Sequence, residues 1–172
     1  LQNPKLWDCE NPHLYTATVS LIRPNGEVAD QVSERFGVRT VEFSPAFGMK
    51  LNGKKVLLKG IANHHSLGAL GAAAYPRAIE KRIQLFKEFG INHIRTSHNP
   101  YSDDFIDLCD EYGLVIWAEI PYISKHMPTG RANTISQMTE LIAQNYNHPS
   151  IVVWGLSNEI SIAGSDDDLL EN

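Results

Sequence analysis

From Val56 onward the sequence alternates between short apolar runs and stretches whose apolar residues recur every three to four positions, and this alternation restricts the fold more than any other feature. The runs are Val56-Leu57-Leu58-Lys59-Gly60, Ile91-Asn92-His93-Ile94-Arg95, Leu114-Val115-Ile116-Trp117-Ala118-Glu119 and, within His148 to Ser157, Ile151-Val152-Val153-Trp154. The last is free of charge, as a strand buried on both faces requires. Between the runs, Pro76 opens a helix with Ile79, Ile83, Phe86 and Phe89 on one face and Gly90 at its end. Ser102 caps a second helix, Asp103 and Asp104 complement its positive end, and Phe105, Leu108, Cys109 and Tyr112 face inward up to Gly113. A third helix from about Thr134 carries Met138, Leu141, Ile142 and Asn145 on one stripe. Asp166-Asp167-Asp168-Leu169-Leu170 reads as the acidic start of a fourth.

Strands separated by helices run parallel, because the helix carries the chain back to the same end of the sheet. A closed (β/α)₈ barrel takes about 250 residues, and Val56 to Asn172 offers less than half of that. The fold class expected is therefore α/β, the first half of a TIM barrel.

Upstream the period is two. Tyr15, Ala17, Val19 and Leu21 alternate with Thr16, Thr18 and Ser20, as in a half-buried strand. Pro24-Asn25-Gly26 gives a hairpin turn, and a second β stretch runs through Val28 and Val32 to Arg39. At Thr40-Val41-Glu42-Phe43 the alternation slips by one, the mark of a bulge or a strand end. Ser44-Pro45 breaks the pattern, and Asn52-Gly53 supplies another turn. Residues 1–43 are expected to be the end of a β-sandwich domain and residues 44–172 an incomplete barrel.

The 172 residues carry a net charge of -5, with acidic and basic residues mixed along the chain, so no basic stripe is available for nucleic acid. No apolar run is long enough to span a membrane. Neither nucleic acid nor a membrane is an expected partner. Cys9 and Cys109 lie far apart without metal-ligand spacing, and Cys109 falls on an apolar helix face. The chain starts without Met and without the pattern of a signal peptide, as an internal piece of a longer protein would.

Polar residues gather just after each apolar run: Asn63-His64-His65, then Arg95-Thr96-Ser97-His98-Asn99-Pro100, then Glu119, then Asn158-Glu159. In a parallel barrel all four groups meet at the C-terminal rim, where such folds keep their chemistry. Simpler roles compete with this one. His64 and His65 are adjacent, and neighbours seldom bind one metal together. His98 could brace a turn, and Arg95 could form a structural ion pair with Glu119. Glu119 and Glu159, on neighbouring strands, could also be the two carboxylates of a retaining glycosidase, which stand roughly 5 Å apart.

The run Leu51-Asn52-Gly53-Lys54-Lys55-Val56-Leu57-Leu58-Lys59-Gly60, followed by Asn63-His64-His65 and Leu67-Gly68-Ala69-Leu70-Gly71-Ala72-Ala73, resembles family 2 glycoside hydrolases, the β-galactosidase and β-glucuronidase group. Arg95 to Pro100, Leu108 to Leu114 and Asn147-His148-Pro149-Ser150-Ile151 continue the resemblance in order. Leu6-Trp7, Glu10 to Tyr15 and Gly37-Val38-Arg39 resemble the immunoglobulin-like domain that precedes the barrel there.

The resemblance implies a retaining β-glycosidase with Glu159 as general acid/base, a role that calls for a low-dielectric pocket. It implies that Asn158 contacts the sugar 2-hydroxyl, that His64 and His98 hold the sugar, and that Glu119 is a pocket carboxylate, a metal ligand in some members. The nucleophilic glutamate would follow Asn172, which argues against pairing Glu119 with Glu159. Ser66 and Ala118 stand where relatives often carry aspartates. Ile120-Pro121 stand where some relatives place the histidine of a Mg²⁺ site, so no cofactor is expected. The wording after Asn63 lies closer to β-galactosidases, with β-glucuronidase-type specificity or a non-catalytic carbohydrate-binding relative as alternatives. The implied partners are a β-linked oligosaccharide or glycoside substrate and further copies of the parent in a homo-oligomer.

Overall fold

A computed structural model describes residues 1–124 and 129–160, so the helix expected from Asp166 lies outside the described residues. Nine strands and three α-helices occur among them. β1 (Tyr15–Ile22) and β2 (Val28–Phe36) form an antiparallel hairpin with a register shift between Leu21 and Ile22. β3 (Val41–Ser44), β4 (Gly48–Leu51) and β5 (Lys54–Val56) make a three-stranded antiparallel sheet. The slip expected at Thr40 to Phe43 is a strand end: β2 stops at Phe36, and β3 begins a different sheet. The expected boundary between residues 43 and 44 falls inside β3.

The second half is a parallel sheet in the order β6 (Gly60–Asn63), β7 (His93–Thr96), β8 (Val115–Glu119), β9 (Ile151–Gly155). Helices α1 (Pro76–Glu88), α2 (Asp103–Tyr112) and α3 (Arg131–Asn145) link consecutive strands. Ile94, Ile116, Ala118 and Ile151 of the sheet pack with Ile79 and Ile83 of α1, Phe105, Ile106 and Cys109 of α2, and Met138 and Leu141 of α3. Side chains alternate along a strand, so with Ile94, Ile116 and Ala118 turned to the helices, Arg95, Trp117 and Glu119 occupy the opposite face.

Four expectations need correction. The first parallel strand is not Val56–Gly60 but Gly60–Asn63. Val56 pairs with Met49 in the antiparallel sheet, and the Asn92 side chain accepts a bond from the Lys59 amide at 2.8 Å and donates to the Leu57 carbonyl at 3.0 Å, which holds the segment between as a crossing. The β1–β2 hairpin is not half-buried: Val19 is 73% and Val32 64% exposed, because no second sheet covers either face among the described residues. β9 is buried only at Ile151 and Gly155, since a barrel interior is filled by side chains from all its strands and four are described. Phe89 leaves the inner face of α1 and is 81% exposed, because the helix ends at Glu88 and its period ends with it.

A second, smaller core of Trp7, Cys9, Met49, Leu51 and Val115 joins the antiparallel part to the parallel one. Trp7 is fully buried and donates its indole N–H to the Asp110 carbonyl at 2.8 Å, while its own carbonyl accepts from Asn52 Nδ2 at 3.0 Å. Arg39 donates to the carbonyls of Pro149 and Ile151, each at 2.6 Å. Asp110, 3% exposed, accepts from the Ser150 amide at 3.0 Å and bonds His148 Nδ1 at 2.7 Å. Asp107, Asp110 and His148 also lie close enough together to be compared with a metal site, but Asp107 pairs with Arg35 at 2.7 Å and Asp110 with His148, which accounts for their charges. Both cysteines are buried free thiols, as expected for Cys109, and burial raises their pKa. No described helix is long and apolar enough to cross a membrane.

Two predictions follow from this packing. Among the described residues β6 and β9 each have a single neighbour in the sheet, and open edges offer unpaired backbone groups to another chain; the isolated 172-residue chain is expected to self-associate, and a monodisperse monomer in sedimentation velocity would refute this. The histidines should shape the pH profile of stability from opposite sides. Burial opposes the charge on His148, but the Asp110 hydrogen bond and the charges of Asp110, Asp107 and Glu34 outweigh it and raise its pKa above 6.5. Its contribution is complete below pH 6.5 and is lost as the pH rises through the raised value. Burial lowers the pKa of His93, so stability falls as the pH drops below 6.5. His148→Gln should flatten the alkaline limb of the unfolding midpoint against pH and leave the acid limb in place.

Candidate active site

The register of the parallel sheet builds the site. Arg95 of β7 pairs with Trp117 of β8, and Glu119, two residues on, pairs with Gly155 of β9. Arg95 therefore reaches diagonally along one face of the sheet to Glu119, with its guanidinium 5.3 Å from the Trp117 ring centroid. Arg95 Nε donates to Glu119 Oε1, and Arg95 Nη2 donates to Asn158 Oδ1 at 2.7 Å. The second carboxylate oxygen of Glu119 bonds His98 Nδ1 at 3.1 Å. Glycine at position 155 makes room for this, because a Cβ there would stand 2.6 Å from Glu119 Cγ.

Glu119 is only 1% exposed. A carboxylate so buried persists as an anion only with donors on its oxygens, and here both oxygens have one. The structural ion pair between Arg95 and Glu119 considered from the sequence is thus present.

His98 sits in the left-handed region at φ 74° and packs edge-on against His64, with ring centroids 5.5 Å apart. His98 lies in the turn after β7, and through Glu119 it belongs to the rim network. Asn158 is anchored three ways. Its amide donates to the Tyr122 carbonyl at 2.9 Å, its carbonyl accepts from the Ser124 amide at 2.9 Å, and its side chain holds Arg95. Because Arg95 can only donate, Asn158 must present Oδ1 to it, which leaves Nδ2 as the end of that amide able to donate elsewhere.

Glu159 follows at φ 55°, also left-handed, a conformation that costs a non-glycine residue roughly 1–2 kcal/mol. It is exposed. The low-dielectric enclosure expected around an acid/base is not supplied by the described residues. The sequence-predicted residues thus fall into one connected group, His64, His98, Glu119 and Asn158 with Arg95 at its centre, and one exposed carboxylate on the adjoining residue.

Two supporting residues escaped the sequence reading. Arg82 of α1 donates to the carbonyls of Ser66 at 2.6 Å and His64 at 3.3 Å, which fixes the loop that carries His64. Tyr101 donates to the Asn63 carbonyl and accepts from Asn63 Nδ2 at 3.1 Å, and burial pushes its phenol up to about 12. Neither neighbours its target in sequence, and helix periodicity alone marks Arg82 only as a polar residue. A cavity of about 300 Å³ between this loop, α1 and α2 is lined by Leu67, Ile79, Arg82, Asn99, Tyr101 and Phe105 rather than by the carboxylates.

The profile described as "Glycosyl hydrolases family 2, TIM barrel domain" matches residues 47–171, and "Glycosyl hydrolases family 2" matches residues 1–39. A beta-glucuronidase of Bacteroides fragilis is 37% identical over 96% of this chain and 25% of its own length. A beta-galactosidase of Thermoanaerobacterium thermosulfurigenes is 37% identical over all of this chain and 24% of its own length. The crystal structure of an FMN-binding beta-glucuronidase from Facaelibacterium prausnitzii L2-6 superposes with a TM-score of 0.92 at 39% identity, over 98% of this chain and 26% of that one. The chain thus spans about a quarter of the length of these relatives.

The two rim carboxylates should respond differently to removal. Glu119→Ala leaves Arg95 and His98 without their anion and is expected to destabilise the full-length protein by about 3 kcal/mol or more. Glu159→Gln, at an exposed position, should stay within about 0.5 kcal/mol. Urea unfolding of the two variants checks the contrast.

Proposed function

Because the chain belongs to the family 2 glycosyl hydrolases, we propose that the full-length protein hydrolyses terminal β-D-galactosides with retention, with Glu159 as general acid/base. The observation that carries this is the Arg95 fork, which ties the buried Glu119 to Asn158, the residue directly before Glu159. A fixed Asn158 can donate Nδ2 to the sugar 2-hydroxyl, a bond that strengthens as the ring flattens toward the oxocarbenium ion. His64 and His98 stand on the same rim and would hold the sugar through their imidazoles. Glu159 would protonate the glycosidic oxygen as it leaves and then take a proton from the water that releases the sugar. The nucleophilic carboxylate comes from beyond these 172 residues. Other parts of the protein and the bound sugar would enclose Glu159 for the acid step. No cofactor has a part in these steps.

β-Glucuronides are the second substrate class, since relatives of both names match at similar identity. The charges on the described part of the rim favour the neutral sugar. Among the described residues Arg95 is committed to Glu119 and Asn158, and Arg82 to the carbonyls of His64 and Ser66, whereas a glucuronate carboxylate needs a cationic partner.

A panel of nitrophenyl β-glycosides incubated with the full-length protein tests the proposal. Galactoside turnover should fall about 10²- to 10⁴-fold in Glu159→Gln when the leaving group is a poor one, and less for nitrophenol, which needs little protonation. Preference for the glucuronide would move the assignment to the second class. A Glu159→Gln variant with undiminished turnover of alkyl glycosides would remove Glu159 from the mechanism.

A further inference from the structure

The surroundings of Glu119 decide how its charge is balanced. Its oxygens accept from Arg95 Nε and from His98 Nδ1, and the side chain is 2% exposed. A Mg²⁺ ion needs near-octahedral oxygen ligands at about 2.1 Å and keeps several of its waters. Neither requirement fits. A cation at either oxygen of Glu119 would stand beside a guanidinium of like charge, and almost no surface remains for coordinated water. Among the described residues, Glu119 belongs to no cluster of three groups able to hold a metal. The donor set does not fit a divalent cation.

We propose that Arg95 is the internal cation and the positioning residue of this site: it neutralises Glu119 without a metal and, through the other arm of its fork, fixes the Asn158 amide with Nδ2 toward the sugar. A metal ion would balance the carboxylate equally well but would not select one end of an amide two strands away. The planar fork does both at once, because Nε and Nη2 are held in one rigid plane, the first donating to Glu119 and the second to Asn158. The Trp117 ring lies under the guanidinium, 5.3 Å from its centroid to Arg95 Cζ, as a cation–π contact. Lysine could supply the charge but not the second, directed bond. The role of Asn158 toward the 2-hydroxyl rests on the proposed glycosidase function, and the absence of a metal requirement does not.

Two measurements on the full-length protein separate these parts. The first is elemental analysis after gel filtration, with calorimetric titration of Mg²⁺ into the EDTA-treated protein and into its Glu119→Gln variant. The expected results are less than a tenth of an equivalent of divalent cation, no heat of binding that depends on Glu119, and galactoside turnover unchanged by EDTA within twofold. One equivalent of metal lost in Glu119→Gln would overturn the proposal, and this holds even if no glycoside is cleaved, an outcome that would sink the glycosidase function alone. The second is Arg95→Lys assayed on a β-galactoside and on its 2-deoxy analogue. A misplaced Asn158 should lower kcat/KM about 100-fold on the first and less than about tenfold on the second, where there is no hydroxyl to lose. Equal losses on both substrates would overturn the positioning role. If Arg95→Lys fails to fold, Trp117→Phe, which keeps a ring under the guanidinium, takes its place: a loss confined to the 2-hydroxy substrate is expected, and equal losses would again refute it.

Discussion

A carboxylate with 1% exposure governs the architecture of the rim. Removing Glu119 from water costs several kcal/mol that only well-placed donors repay, and the supply of those donors dictates the neighbourhood. Arg95 must reach it from β7, His98 must turn back through a left-handed φ of 74°, and position 155 must be glycine to admit it. Once Arg95 is committed, its free arm settles the side chain of Asn158, and the backbone of Asn158 is in turn sewn to Tyr122 and Ser124. The peptide that bears Glu159 thus inherits its position, through Arg95, from a buried charge on the neighbouring strand β8.

The opposite end of the sheet shows the same economy with different chemistry. Trp7, Arg39 and Asn52 belong to the antiparallel part, yet their bonds end on Asp110, Pro149, Ile151 and on one another. Asp110 holds both the loop before β9, through Ser150 and His148, and the indole of Trp7 through its carbonyl. One helix terminus therefore registers β9 against β8 and docks the antiparallel segment underneath. Rim and base are thus held by separate sets of bonds.

Much of the fold was legible because period is a local property. Alternation at Tyr15 to Leu21 marked β1, the spacing of Ile79 and Ile83 marked α1, and Gly113 marked the end of α2, where it adopts φ 69°. The misplaced first parallel strand shows the limit. Val56-Leu57-Leu58 is apolar enough for any strand, but whether it pairs with Met49 or with His93 depends on residues far off in sequence, Asn92 among them. Burial failed in the same way at Val19, Val32 and Val153, where a pattern can say which face is apolar but not whether anything lies on it.

The sequence by itself determined the class of the chain and the roster of its rim, because strand periodicity, cap residues and polar residues placed after each apolar run are properties of neighbouring positions. Tertiary structure alone decided which of those residues act together. Arg95 pairs with Glu119 rather than remaining free for a ligand because the parallel register sets Arg95 beside Trp117 and leaves Glu119 one step further along the same face. Arg82 grips the His64 loop because α1 packs back across β6, a return that spans 16 residues between Arg82 and Ser66. Coulomb attraction and hydrogen bonding act through space, and only the folded chain sets which groups are near.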